Sequence, residues 1–303
     1  MGYESWYLKA SHPTEPLGVW IRYTTHQAEG GPEQGSLWCT LFGPDPSAAK
    51  VTPPPDALSR GNGNFIRIGD STFAEGRVTG SALEARWDLT FESREPELRH
   101  LPKEWMYKAP VPRTKLVSPY PAARFSGEVT FGDRTIQLDG WPGMVGHNWG
   151  AEHAERWIWL HGSEFEGRGD DTWLDVAIGR IKIGPWTTPW VANGVLSLDG
   201  ARHRIGGLGK RGTQIDEHPD HAHFRLPADD LAIEGDVSAP RERFVGWLYA
   251  DPDGSQHNVV NCSIASLTLR AGGADLRTDH GAAYELGMRE TTHGTPIQAF
   301  PDG

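Results

Sequence analysis

The stretch 140–162, GWPGMVGHNWGAEHAERWIWLHG, decides how the rest of the chain is interpreted. It combines four tryptophans with four polar side chains, namely Trp141, Trp149, Trp157 and Trp159 with His147, Asn148, His153 and His161. Its glycines allow backbones to approach closely, and each tryptophan can bury a large apolar surface. The stretch therefore predicts either an aromatic plug between two packed units or an aromatic-walled pocket that holds an ionisable histidine.

On both sides of this stretch, apolar residues mostly alternate with other residues, as in β-strands with one covered face. Examples are 18–25 (GVWIRYTT), 125–131 (FSGEVTF), 173–178 (WLDVAI) and 243–250 (RFVGWLYA). Glycine-containing pairs such as Gly132-Asp133 and Asp199-Gly200 supply the turns of hairpins. Helical periodicity is confined to 151–156 and parts of 81–86. We therefore predict an all-β fold of antiparallel barrels or sandwiches with few short helices.

The length and a weak internal echo bear on the number of domains. A chain of 303 residues can form one large core or two modest ones. Glu4-Ser5-Trp6 is followed by Trp20, and Glu155-Arg156-Trp157 is followed by Trp173. A duplicated β unit would produce such an echo, although the echo alone leaves duplication open. We place the boundary near Gly150, which predicts domains 1–150 and 151–303.

The segment 96–121 contains six prolines and predicts a long loop. Its tip carries Trp105, Met106 and Tyr107, so the loop is a candidate lid over a pocket.

Charge and cysteine content exclude several classes of function. The net charge is −11, and nucleic-acid recognition requires clustered Lys and Arg, so we expect no nucleic-acid partner. The two cysteines cannot build a disulfide framework. No apolar run approaches the roughly 20 residues of a membrane span, and the N-terminus lacks the pattern of a signal peptide. The expectation is a cytoplasmic protein without an integral membrane segment.

Two further patterns mimic binding motifs. Residues 207–212 (GLGKRG) fit a dinucleotide fingerprint but precede no amphipathic helix, which favours a hairpin loop. Residues 216–223 (DEHPDHAH) collect possible metal ligands, yet a solvated acidic loop explains them more simply. We expect no cofactor and no metal.

One family resemblance emerges from the motifs. Gly146-His147-Asn148-Trp149-Gly150, preceded by a β region that opens with 4–9 (ESWYLK), resembles the tandem lipocalin-like superfamily. That superfamily includes carotenoid hydratases (hydroxyneurosporene synthases), tocopherol cyclases and fungal-type Diels-Alderases. The resemblance implies two lipocalin-like β-barrels in tandem, with the HNWG element at their junction.

The resemblance also implies a site. In the hydratase branch, a His-x-Trp pair and a later aromatic-x-Asp pair are implicated in catalysis. The pair His147 and Trp149 matches the first, and Trp173 and Asp175 are similar to the second with Trp in place of Tyr. The predicted catalytic residues are thus His147 and Asp175. The predicted substrate-binding residues are Asn148, Trp149, Trp157, Trp159 and Trp173.

Strand alternation supports the second pair independently. Trp173, Asp175 and Ala177 share one face of a strand, whereas the aliphatic residues between them share the other. A carboxylate on such a face needs a partner or a raised pKa. The alternative is a hydrated aspartate at a barrel mouth.

These features predict an enzyme that acts on a hydrophobic isoprenoid, steroid-like or polyketide molecule. The chemistry would be proton-initiated hydration, cyclisation or isomerisation near the domain junction. A pericyclic reaction of the Diels-Alderase type would need chiefly shape and hydrogen-bond donors, which the same residues would supply. The alternatives are a carrier of a hydrophobic small molecule and a structural or interaction protein.

Overall fold

The computed structural model describes residues 2–61, 63–207, 210–289 and 293–300. Within them strands dominate, and the helices are three short 3₁₀ turns, Pro55–Ala57, Glu104–Tyr107 and Arg241–Arg243. The predicted all-β fold is confirmed. The two candidate helical segments are not helical, because 81–86 forms a β-hairpin and 151–155 connects two strands. No helix in the described ranges is long and apolar enough to cross a membrane.

Twelve antiparallel strands form the first sheet. They are β1 (Gly2–Ser11), β2 (Gly18–Gln27), β3 (Gln34–Phe42), β4 (Ser47–Val51), β5 (Leu58–Gly61), β6 (Asn64–Ile68), β7 (Ser71–Ala74), β8 (Arg77–Ala82), β9 (Ala85–Glu92), β10 (Leu98–Arg99), β11 (Thr114–Phe131) and β12 (Arg134–Gly150). Their order is β4-β3-β2-β1-β12-β11-β9-β8-β7-β6-β5, with β10 beside β11.

Ten further strands form the second sheet. They are β13 (Arg156–Gly162), β14 (Trp173–Arg180), β17 (Val191–Leu198), β18 (Ala201–Gly206), β19 (Gln214–Glu217), β20 (His221–Pro227), β21 (Ala232–Ser238), β22 (Val245–Ala250), β23 (Gln256–Ala271) and β24 (Ala274–Met288). Their order is β18-β17-β14-β13-β24-β23-β21-β20-β19, with β22 beside β23. The strands β15 (Lys182–Ile183) and β16 (Trp186–Thr187) form a separate hairpin.

The two sheets share one connectivity. In each, the first strand pairs with the second strand on one side and with the last strand on the other. Trp6 and Trp157 lie on the first strands, and Trp20 and Trp173 lie on the second strands. The sequence echo therefore coincides with equivalent strands of the two sheets.

Each sheet curls into a half-barrel around its own core. In the first, Gly35 of β3 lies against Ile68 of β6, and the Tyr23 hydroxyl of β2 donates a hydrogen bond of 2.7 Å to the Thr79 carbonyl of β8. In the second, Leu160 of β13 and Phe224 of β20 belong to one buried cluster. The proposed domains 1–150 and 151–303 each contain one of these half-barrels.

The segment 96–121 is only partly a loop. The strand β11 begins at Thr114 and runs through Pro119 and Pro121, so the predicted loop is too long. Pro119 and Pro121 each lie within a register shift of the β11–β12 pairing. Proline is tolerated at such bulges because no ladder hydrogen bond is required of it there.

The half-barrels pack together through the outer faces of their first and last strands. In β1, Leu8 and Ala10 point into the first core, whereas Lys9 and Ser11 point toward the second sheet. The Lys9 ammonium donates to the Gly281 carbonyl at 2.7 Å, and the Ser11 hydroxyl donates to the Ser263 carbonyl at 2.9 Å. These buried bonds fix the position of one sheet on the other.

Candidate functional site

A cavity of about 360 Å³ lies at this junction. Its wall is mostly apolar and is formed by both sheets and by the segment 100–113. A few polar side chains line it as well, among them Tyr7, Arg22, His100, Asn148, Asn193 and Glu285. A largely apolar cavity with a few convergent polar groups is typical of small-molecule sites.

Two predicted tryptophans line this cavity from β13. Since side chains alternate along a strand, Ile158 and Leu160 enter the second core, and Trp157 and Trp159 face the first sheet. The Trp157 indole donates to Glu285 Oε1 at 3.0 Å. The Trp159 indole donates to Asp175 Oδ1 at 3.1 Å. Each ring therefore presents an aromatic surface to the cavity and is oriented by a carboxylate.

Asp175 of β14 lies behind Trp159 and is fully buried. Its neighbours Leu174 and Val176 face the second core, as the strand-face argument predicts. The Ser118 hydroxyl of β11 donates to Asp175 Oδ2 at 2.5 Å, and His100 Nε2 lies 3.5 Å from the same oxygen. The carboxylate of the second sheet is thus held by residues of the first.

His100 connects this carboxylate to the cavity. It follows β10, is fully buried and lines the cavity. Its Nδ1 lies 3.1 Å from the Asn193 carbonyl, and its Nε2 lies 3.1 Å from the Ser118 hydroxyl. A carbonyl can only accept, so Nδ1 carries a proton.

The chain Asp175–Ser118–His100 accommodates one mobile proton in two arrangements. In the first, His100 is an imidazolium that donates to Ser118, and Ser118 donates to the Asp175 carboxylate. In the second, a neutral Asp175 donates to Ser118, and Ser118 donates to a neutral His100. Both arrangements satisfy every donor along the chain. A concerted shift of two protons converts one into the other.

Electrostatics favour the ionised form of Asp175. Burial alone raises the pKa of Asp175, but the charge and hydrogen bond of His100 and the hydrogen bond of Ser118 outweigh it and lower that pKa. Burial lowers the pKa of His161 to about 3, so the His161 ring is neutral near pH 7.

A phenol lies close to this chain. Tyr7 of β1 lines the cavity, and its ring meets Trp159 edge-on with centroids 5.4 Å apart. Burial and the charges of Asp175 and Glu285 raise the pKa of Tyr7, so the group remains a hydrogen-bond donor. Tyr7 therefore places at the cavity a phenol, which a tyrosine at position 173 would carry and Trp173 does not.

Another part of the cavity wall contains a charged group of the first sheet. The Arg22 guanidinium of β2 stacks over the Tyr249 ring, 4.0 Å from its centroid, and its Nε donates to the Ser5 hydroxyl. The Tyr249 hydroxyl donates to Glu285 Oε2 at 3.2 Å. Arg22 Nη1 is buried without a protein partner. This side of the cavity therefore carries a donor suited to an electronegative atom.

The structure separates His147 from this cavity. In β12, Val145 enters the first core and His147 continues on that face, whereas Asn148 points into the junction cavity. His147 stacks on Trp6 and Trp149, with centroids 3.8 and 4.6 Å apart. His147 and Trp149 line an open cleft of the first sheet. The expectation that His147 and Asp175 line one pocket does not hold, because the two opposite faces of β12 lead to different cavities.

The open cleft has its own ion pairs. His147 Nε2 lies 3.0 Å from Glu4 Oε1, and Arg60 pairs with Glu4 and, at 2.7 Å, with Glu33. Burial works to raise the pKa of Glu4, yet hydrogen bonds from His147 and Arg60 lower it to about 2.

Trp173 lies in neither cavity. Its side chain is fully buried in a small cluster with Leu98 and Val195. The Arg202 guanidinium lies 5.0 Å from its ring centroid. The predicted substrate contact is therefore a packing residue at the edge of the junction.

Sequence reasoning missed His100, Ser118, Arg22 and Glu285, and it noted Tyr7 only within the opening strand. His100 stands between two prolines of a segment that predicts a loop, and Ser118 carries no motif. Only the burial of both residues beside Asp175 identifies them.

The structure describes all of one motif-like segment, residues 216–223, and only part of the other, residues 207–212. Residues 216–223 lie on β19, β20 and their turn, where His221 and His223 are half exposed and pair with Asp220 and Asp236. For residues 207–212, Leu208 and Gly209 lie outside the described residues.

Comparisons with known proteins show relatives and a shared fold. No protein-family model matches the chain. It is 28% identical, over 99% of its length and 89% of theirs, to the uncharacterized proteins MT0513 and Rv0493c of two Mycobacterium tuberculosis strains. A candidate AttH from Nitrosomonas europaea superposes with a TM-score of 0.59 at 14% identity, covering 95% of this chain and 92% of its own. Kievitone hydratase from Nectria haematococca superposes with a TM-score of 0.54 at 10% identity, covering 96% and 89%. At these identities the two structures establish the lipocalin-like fold.

Proposed function

We propose that this protein is an enzyme that transfers a proton to a hydrophobic small molecule in the junction cavity. The chain Asp175–Ser118–His100 would store the proton. His100 lines the cavity and would deliver a proton from Nδ1, which donates to the Asn193 carbonyl until a substrate takes its place. The reaction would be a hydration, cyclisation or isomerisation of an isoprenoid, steroid-like or polyketide substrate. Binding and transport of such a molecule without catalysis is the alternative.

The observation that carries this proposal is the burial of a titratable couple in the cavity wall. His100, Ser118 and Asp175 are all fully buried, and two sheets must pack together to bring them into contact. Burying an ion pair costs free energy that apolar residues of the same size would avoid. A carrier needs only apolar walls, whereas an acid catalyst needs a positioned proton.

The aromatic walls support a cationic intermediate. Protonation of an alkene generates a carbocation, and the faces of Trp157 and Trp159 stabilise such charge without forming a bond to it. Water that reaches the cation gives a hydration product, and exclusion of water favours ring closure or proton loss. The name of the neighbour kievitone hydratase supports hydration as one outcome for this fold.

The test is conversion of a hydrophobic metabolite extract, followed by mass spectrometry. We expect a product with the mass of one added water, or an isomer of unchanged mass. His100→Gln and Asp175→Asn keep the shape of the site and remove the mobile proton, so we expect turnover to fall at least ~100-fold while binding persists. Matched controls are His203→Gln and Asp230→Asn, which change a pair joined at 2.8 Å outside both cavities; both variants should convert the substrate at the original rate.

Two results would reject the proposal. Equal co-purification of one apolar compound with every variant, without conversion, identifies a carrier. Loss of turnover in His147→Ala, together with normal turnover in His100→Gln, moves the chemistry to the open cleft of the first sheet.

A further inference from the structure

Three potential metal ligands converge where the connector between the sheets meets a hairpin of the second sheet. His153 belongs to the connector 151–155, Asp251 follows β22, and His257 is the second residue of β23. One ligand atom from each residue lies within 4.8 Å of the other two. In the part of the chain that the structure describes, this is the one group of three such side chains with that spacing.

The Asp251 carboxylate lies close to the imidazole rings of both His153 and His257. Asp251 Oδ1 lies 2.6 Å from His153 Nδ1 and accepts the His153 backbone N–H at 2.9 Å. Asp251 Oδ2 lies 3.6 Å from His257 Nδ1. The ligands of a tetrahedral zinc ion stand roughly 3.3 Å apart, so small side-chain shifts would complete such a site.

The two rings are poorly satisfied without an ion. His257 and Asp251 are fully buried, and His153 is nine-tenths buried. Both ring nitrogens of His257 and Nε2 of His153 are buried without a hydrogen-bond partner. Buried polar atoms nearly always have partners, so each exception requires an explanation. Three buried ring nitrogens without partners, beside one buried carboxylate, form a donor set suited to a cation.

We propose that His153, Asp251 and His257 bind a divalent transition-metal ion of the zinc or ferrous type. Two imidazoles and one carboxylate are the protein ligands that these ions take in sites with open positions. Hard cations such as Ca²⁺ and Mg²⁺ require mainly oxygen ligands and do not fit this set.

The surroundings of the cluster resemble the shell of a built metal site. The ring of Tyr3 stacks on His153 with ring centroids 4.1 Å apart. The ring centroids of Trp157 and His257 lie 5.2 Å apart. Such packing fixes the orientation of the imidazoles. His153 and Trp157 also line the junction cavity. An ion at this position would face that cavity and could polarise an oxygen atom of its occupant.

The test is metal binding by protein without an affinity tag, stripped with a chelator and titrated with Co²⁺ alone. We expect one Co²⁺ per chain, visible d–d absorption and displacement by one equivalent of Zn²⁺. His257→Gln should weaken Co²⁺ binding at least ~10-fold, and His153→Gln should do the same. His153→Gln changes the more accessible ring, so it serves if His257→Gln fails the near-UV circular dichroism test for folding.

The matched control is His221→Gln, which disrupts the exposed stack of His218 and His221. This variant should bind Co²⁺ with unchanged affinity. Three outcomes would overturn the proposal. The unmodified protein could fail to bind Co²⁺ stoichiometrically, both cluster variants could keep stoichiometric binding, or the control could lose it. The titration uses no substrate, so its outcome is independent of the proposed proton-transfer function.

Discussion

At the scale of single residues, alternation along β12 sends neighbouring side chains of the HNWG element into different cavities. His147 and Asn148 are neighbours in sequence, yet one lies in the open cleft and the other in the junction cavity. The alternation is predictable from the strand pattern. Which face meets the second sheet is not, because it depends on the direction in which the first sheet curls.

Lys9 gives a prediction for pH dependence. Burial lowers its pKa from the ordinary 10.5 to about 7, so between these values the unfolded chain binds more protons than the folded one. This group therefore makes the free energy of unfolding rise as the pH increases from about 7 to 10.5. We expect Lys9→Met to reduce that rise, as measured by urea unfolding at pH 7 and pH 9.5. An unchanged difference between the two pH values would contradict the assigned pKa.

Gly146 gives a prediction for close packing. A Cβ at this position would lie 2.2 Å from Cζ of Tyr7, so any side chain must displace the phenol from the cavity wall. We expect Gly146→Ala to lower the free energy of unfolding by about 1–3 kcal/mol, since overpacking a tight contact costs that much. The control Gly31→Ala, where the nearest atom is 3.7 Å from the added Cβ, should change stability little. Equal effects in urea titrations would argue against the contact.

At the scale of elements, the segment 96–113 supplies part of the cavity wall that the sequence predicts only as a lid. The Tyr107 hydroxyl holds it by accepting from the Leu101 N–H at 3.1 Å and donating to the Leu116 carbonyl at 2.9 Å. Met106, next to it, lines the cavity. The segment is therefore tied to β11 at the point where that strand begins.

We expect Tyr107→Phe to loosen this segment. Loss of the hydroxyl leaves two backbone groups without their partner, at a cost of about 1–3 kcal/mol for the local structure. Trypsin should cleave faster after the exposed Lys103 and Lys108 in this variant. Tyr120→Phe, which lies on β11 outside the segment, is the control and should be cleaved at the original rate. Identical cleavage of all three proteins would show that Tyr107 does not hold the segment.

At the scale of the whole molecule, buried polar bonds across the junction couple the two half-barrels. Lys9 reaches Gly281, Ser11 reaches Ser263 and Ser118 reaches Asp175, all between buried groups. Separation of the sheets would break these bonds and would expose Trp20, Trp38 and Phe42 of the first sheet, which pack in the core of the second. Neither proposed domain can therefore expose its outer face without loss of stability.

This coupling predicts that the domains 1–150 and 151–303 unfold together. Urea titrations followed by near-UV circular dichroism and by small-angle scattering should give coincident midpoints. Asp175→Asn weakens the junction and should shift both midpoints equally. Two separated transitions in the unmodified protein would show that the half-barrels are independent.

Most of the fold is predictable from the sequence because strands and turns are recorded by patterns of neighbouring residues. Period-two patterns and turn pairs identify the strands, and the repeated Glu-x-Trp openings mark equivalent first strands. The errors also have local causes: the prolines at 119 and 121 favour a loop, yet a bulged strand accommodates them. The site is less predictable. Asp175, Asn148, Trp157 and Trp159 are at or beside the cavity, whereas His147, Trp149 and Trp173 are elsewhere.

The sequence by itself determined the all-β class, the alternation that places Asp175 opposite the aliphatic face of β14, and the concentration of aromatic residues near the junction. Tertiary structure alone decided which partners these residues have. Ser118 is 57 positions from Asp175, and His153 is 98 positions from Asp251. Alternation is imposed by the geometry of a single strand, but contact between such distant residues depends on how two curled sheets pack, and no short-range pattern records that.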